Sequence, residues 1–152
     1  MKIADYRARR EPVVIKEGQE LEVRGLTLAD VTRLVERHIP EITQLVSQYQ
    51  EQKKDVFSDA GFNAMLMSMA ASFPDLTAEA ICLAADQPDA DSIDAARQFG
   101  AAASIACLAQ IGQLTLEEAG GLKNLIASLM PLLSEGGSLR KGASDPSAQK
   151  NK

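Results

Sequence analysis

The spacing of apolar positions changes character along the chain, and each change marks a different kind of element. Pro12-Val13-Val14-Ile15-Lys16 and Leu21-Glu22-Val23-Arg24 flank Glu17-Gly18-Gln19-Glu20, which predicts two strands joined by a short glycine-containing turn. A lone two-stranded hairpin is marginal in water, so this one is expected to pack on helices or to offer its edge to another subunit. From Leu26 the period becomes 3.6. In Leu26-Thr27-Leu28-Ala29-Asp30-Val31, Thr27 is placed to cap a helix, Asp30 to reach back and Leu26 to staple onto Val31. Leu28, Val31, Leu34 and Val35 share a face as far as Pro40, and Ile42, Leu45, Val46 and Tyr49 then recur at i, i+3, i+4 and i+7. These two segments predict a helical hairpin or a kinked rod.

Ser58 or Asp59 is placed to cap a third helix, in which Phe62, Leu66, Met69 and Phe73 recur at helical spacing until Pro74 ends it. Leu76-Thr77 predicts the start of a short fourth helix, broken by the run from Asp86 to Asp91. A fifth helix is expected from Ser92 to Ile111, rich in alanine and therefore suited to a central position with close neighbours. Leu114-Thr115-Leu116-Glu117-Glu118 repeats the capping pattern ahead of a stripe formed by Leu122, Leu125, Ile126, Leu129 and Leu133 on a sixth helix. From Gly136 the chain is rich in Gly, Ser, Lys and Ala and has no apolar period, which predicts disorder. The expected fold is mainly α, a small bundle of about six helices with an N-terminal β-hairpin and a disordered C-terminal tail. Its parts are a polar arm over 1–11, the hairpin and helical domain over 12–135, and a flexible tail over 136–152.

Composition narrows the function classes. With 45% apolar and 24% charged residues among 152, the chain has the balance of a folded domain, and with 4% aromatics and no Trp its core must be aliphatic. Sixteen basic against 21 acidic residues leave a net charge of −5, opposite to what phosphate backbones attract, so no nucleic-acid partner is expected. Arg7, Arg9 and Arg10 sit beside Asp5 and Glu11 and read as a solvated arm. Between Lys54 and Arg97 there is no Lys or Arg but eight acids, an acidic middle. The apolar run from Phe99 to Leu108 is far short of the roughly 20 residues that cross a bilayer, and the N-terminus lacks the apolar core of a signal peptide, so no membrane partner is expected. Cys82 and Cys107, in alanine-rich apolar stretches without metal-clip spacing, suit a reducing cytosol.

The residues of catalysis are scarce. His38 is the sole histidine, and no Ser-His-Asp or Cys-His set, phosphate loop, HExxH or CxxC motif occurs, so the chain is expected not to be an enzyme and to hold no cofactor or metal. His38, at a helix end before Pro40, is expected to meet the last carbonyls of that helix. Asp86, Asp89, Asp91 and Asp94 lack the sixth-position glycine and twelfth-position glutamate of a calcium loop and read instead as a solvated linker that caps the next helix. Met65, Met67 and Met69 cannot share one helix face, because residues two apart point about 200° apart, and flexible methionine surfaces suit adaptable binding. With Phe62 and Phe73 they form the candidate partner-binding set.

The order of a hairpin, then Arg24-Gly25-Leu26-Thr27-Leu28-Ala29-Asp30-Val31-Thr32-Arg33-Leu34-Val35 leading to His38-Ile39-Pro40, then several small helices and a polar tail, resembles the tail assembly chaperones of long-tailed, siphovirus-type bacteriophages. The resemblance spans about residues 12 to 135. It implies a small helical protein of the host cytoplasm that coats the tape measure protein, helps recruit tail tube subunits and is absent from the mature virion. A homo-oligomer is the expected state. Competing readings are a structural virion protein of the head-tail connector type and a small regulatory binding protein, the latter weakened because Arg33 and Arg37 stand nearly alone as bases on their helix.

Overall fold

The computed structural model describes residues 1–51 and 59–121, together with 124, 127 and 131. The order is a 3-10 turn at Ile3–Asp5, strands β1 (Arg10–Lys16) and β2 (Gln19–Arg24), and helices α1 (Leu28–Arg37), α2 (Ile39–Glu51), α3 (Asp59–Ser72), α4 (Pro74–Ala84), α5 (Ala90–Ala96) and α6 (Ala101–Ala119). Mainly helical with one antiparallel hairpin, it is the expected class. Both strands start earlier than their apolar runs, at Arg10 and Gln19, so the last two residues of the expected polar arm belong to β1. The rest of the arm lies near the end of α6, with Tyr6 Oη donating to Glu118 and Arg9 pairing with Glu117. The expected tail over 136–152 and the Leu122–Leu133 stripe lie outside the described residues, apart from 124, 127 and 131, which are helical.

Alternation orients the hairpin. Val13 sits opposite Leu21 and Glu11 opposite Val23, and Val13 and Val23 are buried against the helices while Val14, Glu20 and Glu22 face outward. Gly18 closes the turn at φ +79°, a left-handed conformation that glycine adopts without steric cost. Gly25, the link from β2 to α1, passes so close to α6 that a Cβ there would lie 2.9 Å from Thr115 N and 3.1 Å from Leu114 O. The adjacent Leu26 N–H donates to Thr115 Oγ1 at 2.9 Å. The hairpin is thereby fixed to the last third of α6.

The central helix is α4 and not the alanine-rich segment. Every residue from Leu76 to Ala84 is buried, as expected of a helix surrounded on all sides, and α1, α3, α5, α6 and β2 all pack on it. The alanine-rich stretch is two helices, because the chain turns at Arg97–Gly100 before Gly100 starts α6. Ala101, Ala102, Ala106 and Ala109 face solvent, while Ala103, Cys107, Leu108, Ile111 and Leu114 form the inner face.

Only one of the three Leu-Thr pairs is a helix start. Thr27 forms the full capping box with Asp30. Thr77 lies one turn inside α4, whose first residue is Pro74, and its hydroxyl donates to Met69 O; Thr115 lies inside α6 and donates to Ile111 O. Helix α6 therefore runs unbroken to Ala119 and ends at Gly120, which is left-handed at φ +83°.

Candidate partner-binding groove

Three helical faces leave a half-open apolar groove of about 210 Å³ above α4 and α6. One wall comes from α1 with Val31, Leu34 and Val35, the second from α2 with Ile42, Leu45 and Val46, and the third from α3 with Met65, Leu66 and Met69. Leu76 and Ala80 of α4, Leu108, Ile111, Gly112 and Thr115 of α6, and the linker residue Leu26 close the floor. None of these lining side chains is ionisable. The apolar stripe of α1 and α2 is thus shared between core and groove, since Leu34 and Leu45 are buried while Val31, Val35, Ile42 and Val46 are only half-buried.

The candidate set divides along α3. Met65 and Met69, four residues apart, share the groove face, whereas Met67 points to the outer surface and is 54% exposed. Phe73 is half-buried against the core and occupies the N-cap position of α4, away from the lining. The side chain of Phe62 lies outside the described residues. Val31, Val35, Ile42 and Val46 were legible as stripe positions, but nothing local separates a half-buried wall from a buried core.

The groove's supports are polar. At the α1–α2 joint the carboxylate of Glu79, on the buried helix α4, is 3% exposed and meets three donors. Arg33 Nε lies 3.2 Å from Oε2, Arg37 Nε is 3.0 Å from Oε1 and 2.9 Å from Oε2, and His38 Nε2 is 2.8 Å from Oε1. Burial works to raise the Glu79 pKa, but the hydrogen bonds from His38 and Arg37, the field of Arg37 and the bond from Arg33 outweigh it and hold the carboxyl below its ordinary range. His38 does not turn its ring to the helix carbonyls. Its backbone N–H bonds to Leu34 O, while the ring bonds Glu79 through Nε2 and holds Nδ1 3.6 Å from Glu41 of α2.

The second polar cluster ties the hairpin to the turn after α4. Arg10 and Arg24 stand directly opposite on β1 and β2, a like-charge pair that is unfavourable unless neutralised. Asp86 binds both. Arg24, its side chain 10% exposed, also holds Asp30 at 2.6 Å and Leu83 O at 3.0 Å. Asp86 takes the left-handed conformation at φ +59°, and the hydrogen bond from Arg24, then that from Arg10 and the fields of both, bring its pKa down to about 2. Asp86, Asp89, Asp91 and Asp94 are exposed, as expected of a solvated linker, whereas Glu79 is buried. Glu79 and Asp86 belong to these clusters, Asp75 and Asp94 pair with Arg97, and Asp89 caps α5 through Ser92. Arg33 and Arg37, solitary in sequence, are paired in space.

Burial pushes both thiols, Cys82 and Cys107, up to about 11, with the fields of Asp89 and Glu79 adding to the effect on Cys82. At neutral pH neither is a thiolate nucleophile. No group of three His, Cys, Asp or Glu side chains is arranged to hold a metal among the described residues. Among those residues, no single helix is long and apolar enough to cross a membrane.

A model of the family described as pre-tape measure protein matches residues 1–150. The chain belongs to this family. The family's description relates it to the tape measure protein and hence to phage tail assembly. No curated protein and no solved structure matches the chain. In this pre-tape measure chain, the groove supplies apolar surface and shape, and the charged clusters that hold its walls sit outside the lining.

Proposed function

We propose that the chain is a non-enzymatic tail assembly chaperone that takes apolar side chains of the tape measure protein into the groove between α1, α2 and α3. The observation that carries the reading is a half-open groove with no ionisable lining in a chain of the pre-tape measure family. A dry apolar cavity of about 150 Å³ accommodates benzene, so this one has room for one or two large aliphatic or aromatic anchors presented by a helix. Met65 and Met69 give one wall the adaptability needed for anchors that differ along a long client. Two buried anchors contribute about 3–6 kcal/mol, short of the roughly 8 kcal/mol of micromolar affinity. Shielding then depends on many copies bound along one client, which also fits recruitment of tail tube subunits to a coated tape measure and an oligomeric working state in the host cytoplasm.

A matched pair of variants tests this. Met65→Lys places a charge in the groove, and Met67→Lys places the same charge on the outer face of the same helix. Pull-down with the tape measure protein is expected to fail for the first and persist for the second, with both variants folded by circular dichroism. Equal binding by the two variants would refute the groove. Detection of the chain in purified virions would favour the structural reading over the chaperone.

A further inference from the structure

The polar joint at His38 lies at the break between α1 and α2. Its ring is 13% exposed and sits between two carboxylates on different helices, Glu79 of α4 at 2.8 Å from Nε2 and Glu41 of α2 at 3.6 Å from Nδ1. Glu41 Oε2 is buried and has no hydrogen-bond partner. A neutral imidazole carries one N–H and one lone pair, so it satisfies one carboxylate and presents a lone pair to the other. An imidazolium donates to both. Among the described residues the other charged groups that face the joint are Arg33 and Arg37 of α1, both directed at Glu79; the Glu41 side chain is 35% exposed, and its buried Oε2 faces the ring.

Helix α2 packs chiefly on α1 and α3. It carries the groove wall Ile42, Leu45 and Val46, which begins at the residue after Glu41. The contact from Glu41 through His38 to Glu79 is the polar tie between that wall and the buried helix α4. We propose that His38 is a proton-operated latch on the groove: as an imidazolium it joins Glu41 to Glu79 and fixes the α2 wall, and as a neutral ring it releases Glu41 and lets that wall move outward. Closing requires Glu41 to approach by about 0.7 Å, the difference between the present spacing and an ordinary charge-assisted hydrogen bond. As regulation of the groove the latch rests on the docking proposal above, whereas the motion itself does not require a client.

Amide hydrogen exchange of the free full-length chain, corrected for the intrinsic pH dependence of exchange, reads the motion directly. Between pH 5.5 and 7.5 the opening of Leu45 and Val46 is expected to rise about tenfold, the worth of one hydrogen bond to a charged group, while Cys107 to Ile111 on α6 stay constant. Glu41→Gln gives the ring a carboxamide N–H to accept, so its α2 opening is expected to stay low and independent of pH. His38→Gln removes the titrating group, and its opening is expected to be high and flat. A flat wild-type profile, a parallel rise in α6, or the same pH dependence in either variant overturns the latch. If the exchange behaves as expected while Met65→Lys still binds the tape measure protein, the latch stands and the docking reading falls.

Discussion

Replacing Glu79 with Gln keeps the shape of the side chain and removes its charge, which makes the energetic role of the α1–α4 tie measurable. The carboxamide oxygen can occupy the place of Oε1 and still accept from His38, but a neutral acceptor is worth about half a charged one, a loss of roughly 1 kcal/mol. Its NH₂ group then faces Arg33 and Arg37 where Oε2 accepted from both. Those arginines, 42% and 57% exposed, can turn to water, so losing their pairs costs only about 1 kcal/mol together. The NH₂ cannot turn away from a site that is 3% exposed, and an unpaired buried donor costs about 1–3 kcal/mol. The sum is about 3–5 kcal/mol, or a fall in Tm of roughly 6–20 °C for a chain of this size. Urea unfolding followed by circular dichroism at pH 7 supplies the number. The pH dependence supplies the control. Because the folded pKa of Glu79 is lowered, its contribution is complete above the ordinary carboxyl value of 4.5 and is lost as the pH falls below it, so the difference between wild type and variant must shrink in acid. A change below about 0.5 kcal/mol at pH 7, or one that does not shrink on acidification, would refute the assignment of Glu79 as a buried charged anchor.

Three further outcomes follow from other contacts. Gly25→Ala drives a methyl group into backbone atoms of α6 and separates Leu26 N–H from Thr115 Oγ1, so it is expected to cost about 2–4 kcal/mol by urea unfolding, whereas Gly100→Ala, which meets nothing within 4 Å, is expected to be tolerated. Asp86→Asn leaves Arg10 and Arg24 facing each other with less compensation and is expected to lower stability at pH 7. Since the folded pKa of Asp86 is depressed to about 2, wild type should lose that advantage as the pH drops from near 4 toward 2, seen in acid titrations by circular dichroism. Both cysteines are expected to react with a thiol reagent only as fast as the protein opens, because their pKa values near 11 and their burial remove the thiolate and the access together; rapid modification of the folded chain would contradict this.

Local signals carried the class of the fold and most element positions, and they failed where a residue's role depends on a distant partner. The strands, the Thr27 cap, the break at His38–Pro40 and the end of α3 before Pro74 are readable because their causes lie within a few residues. Thr77 and Thr115 show the limit. A threonine after leucine caps a helix or turns its hydroxyl to an earlier carbonyl, Met69 O of α3 for Thr77 and Ile111 O four residues back for Thr115, and the choice is made by surroundings: Pro74 already starts α4, and the period from Ala101 runs through Thr115 without interruption. Glu79 and Asp86 read as members of an acidic stretch because their partners lie 41 to 76 positions away. The groove is half legible, since Met65 and Met69 stand out in the sequence as partner-binding candidates whereas the α1 and α2 walls show only as shared helix faces.

The pinning of Gly25 and Leu26 onto Leu114 and Thr115 also sets an order of events during synthesis. The hairpin is made first, yet the surface that buries Val13 and Val23 is not complete until residue 115 has been added, 91 residues after Arg24. At about 5–20 residues per second, this interval is roughly 5 to 18 s, during which the two strands lack the α6 part of their backing and, until residue 86 is added, the Asp86 clamp as well. A marginal hairpin with open edges is a hazard over such a time. The glutamates at 20 and 22, the lysine at 16 and the proline at 12 all face outward on it, and each discourages pairing with another chain while the rest of the domain is still being made.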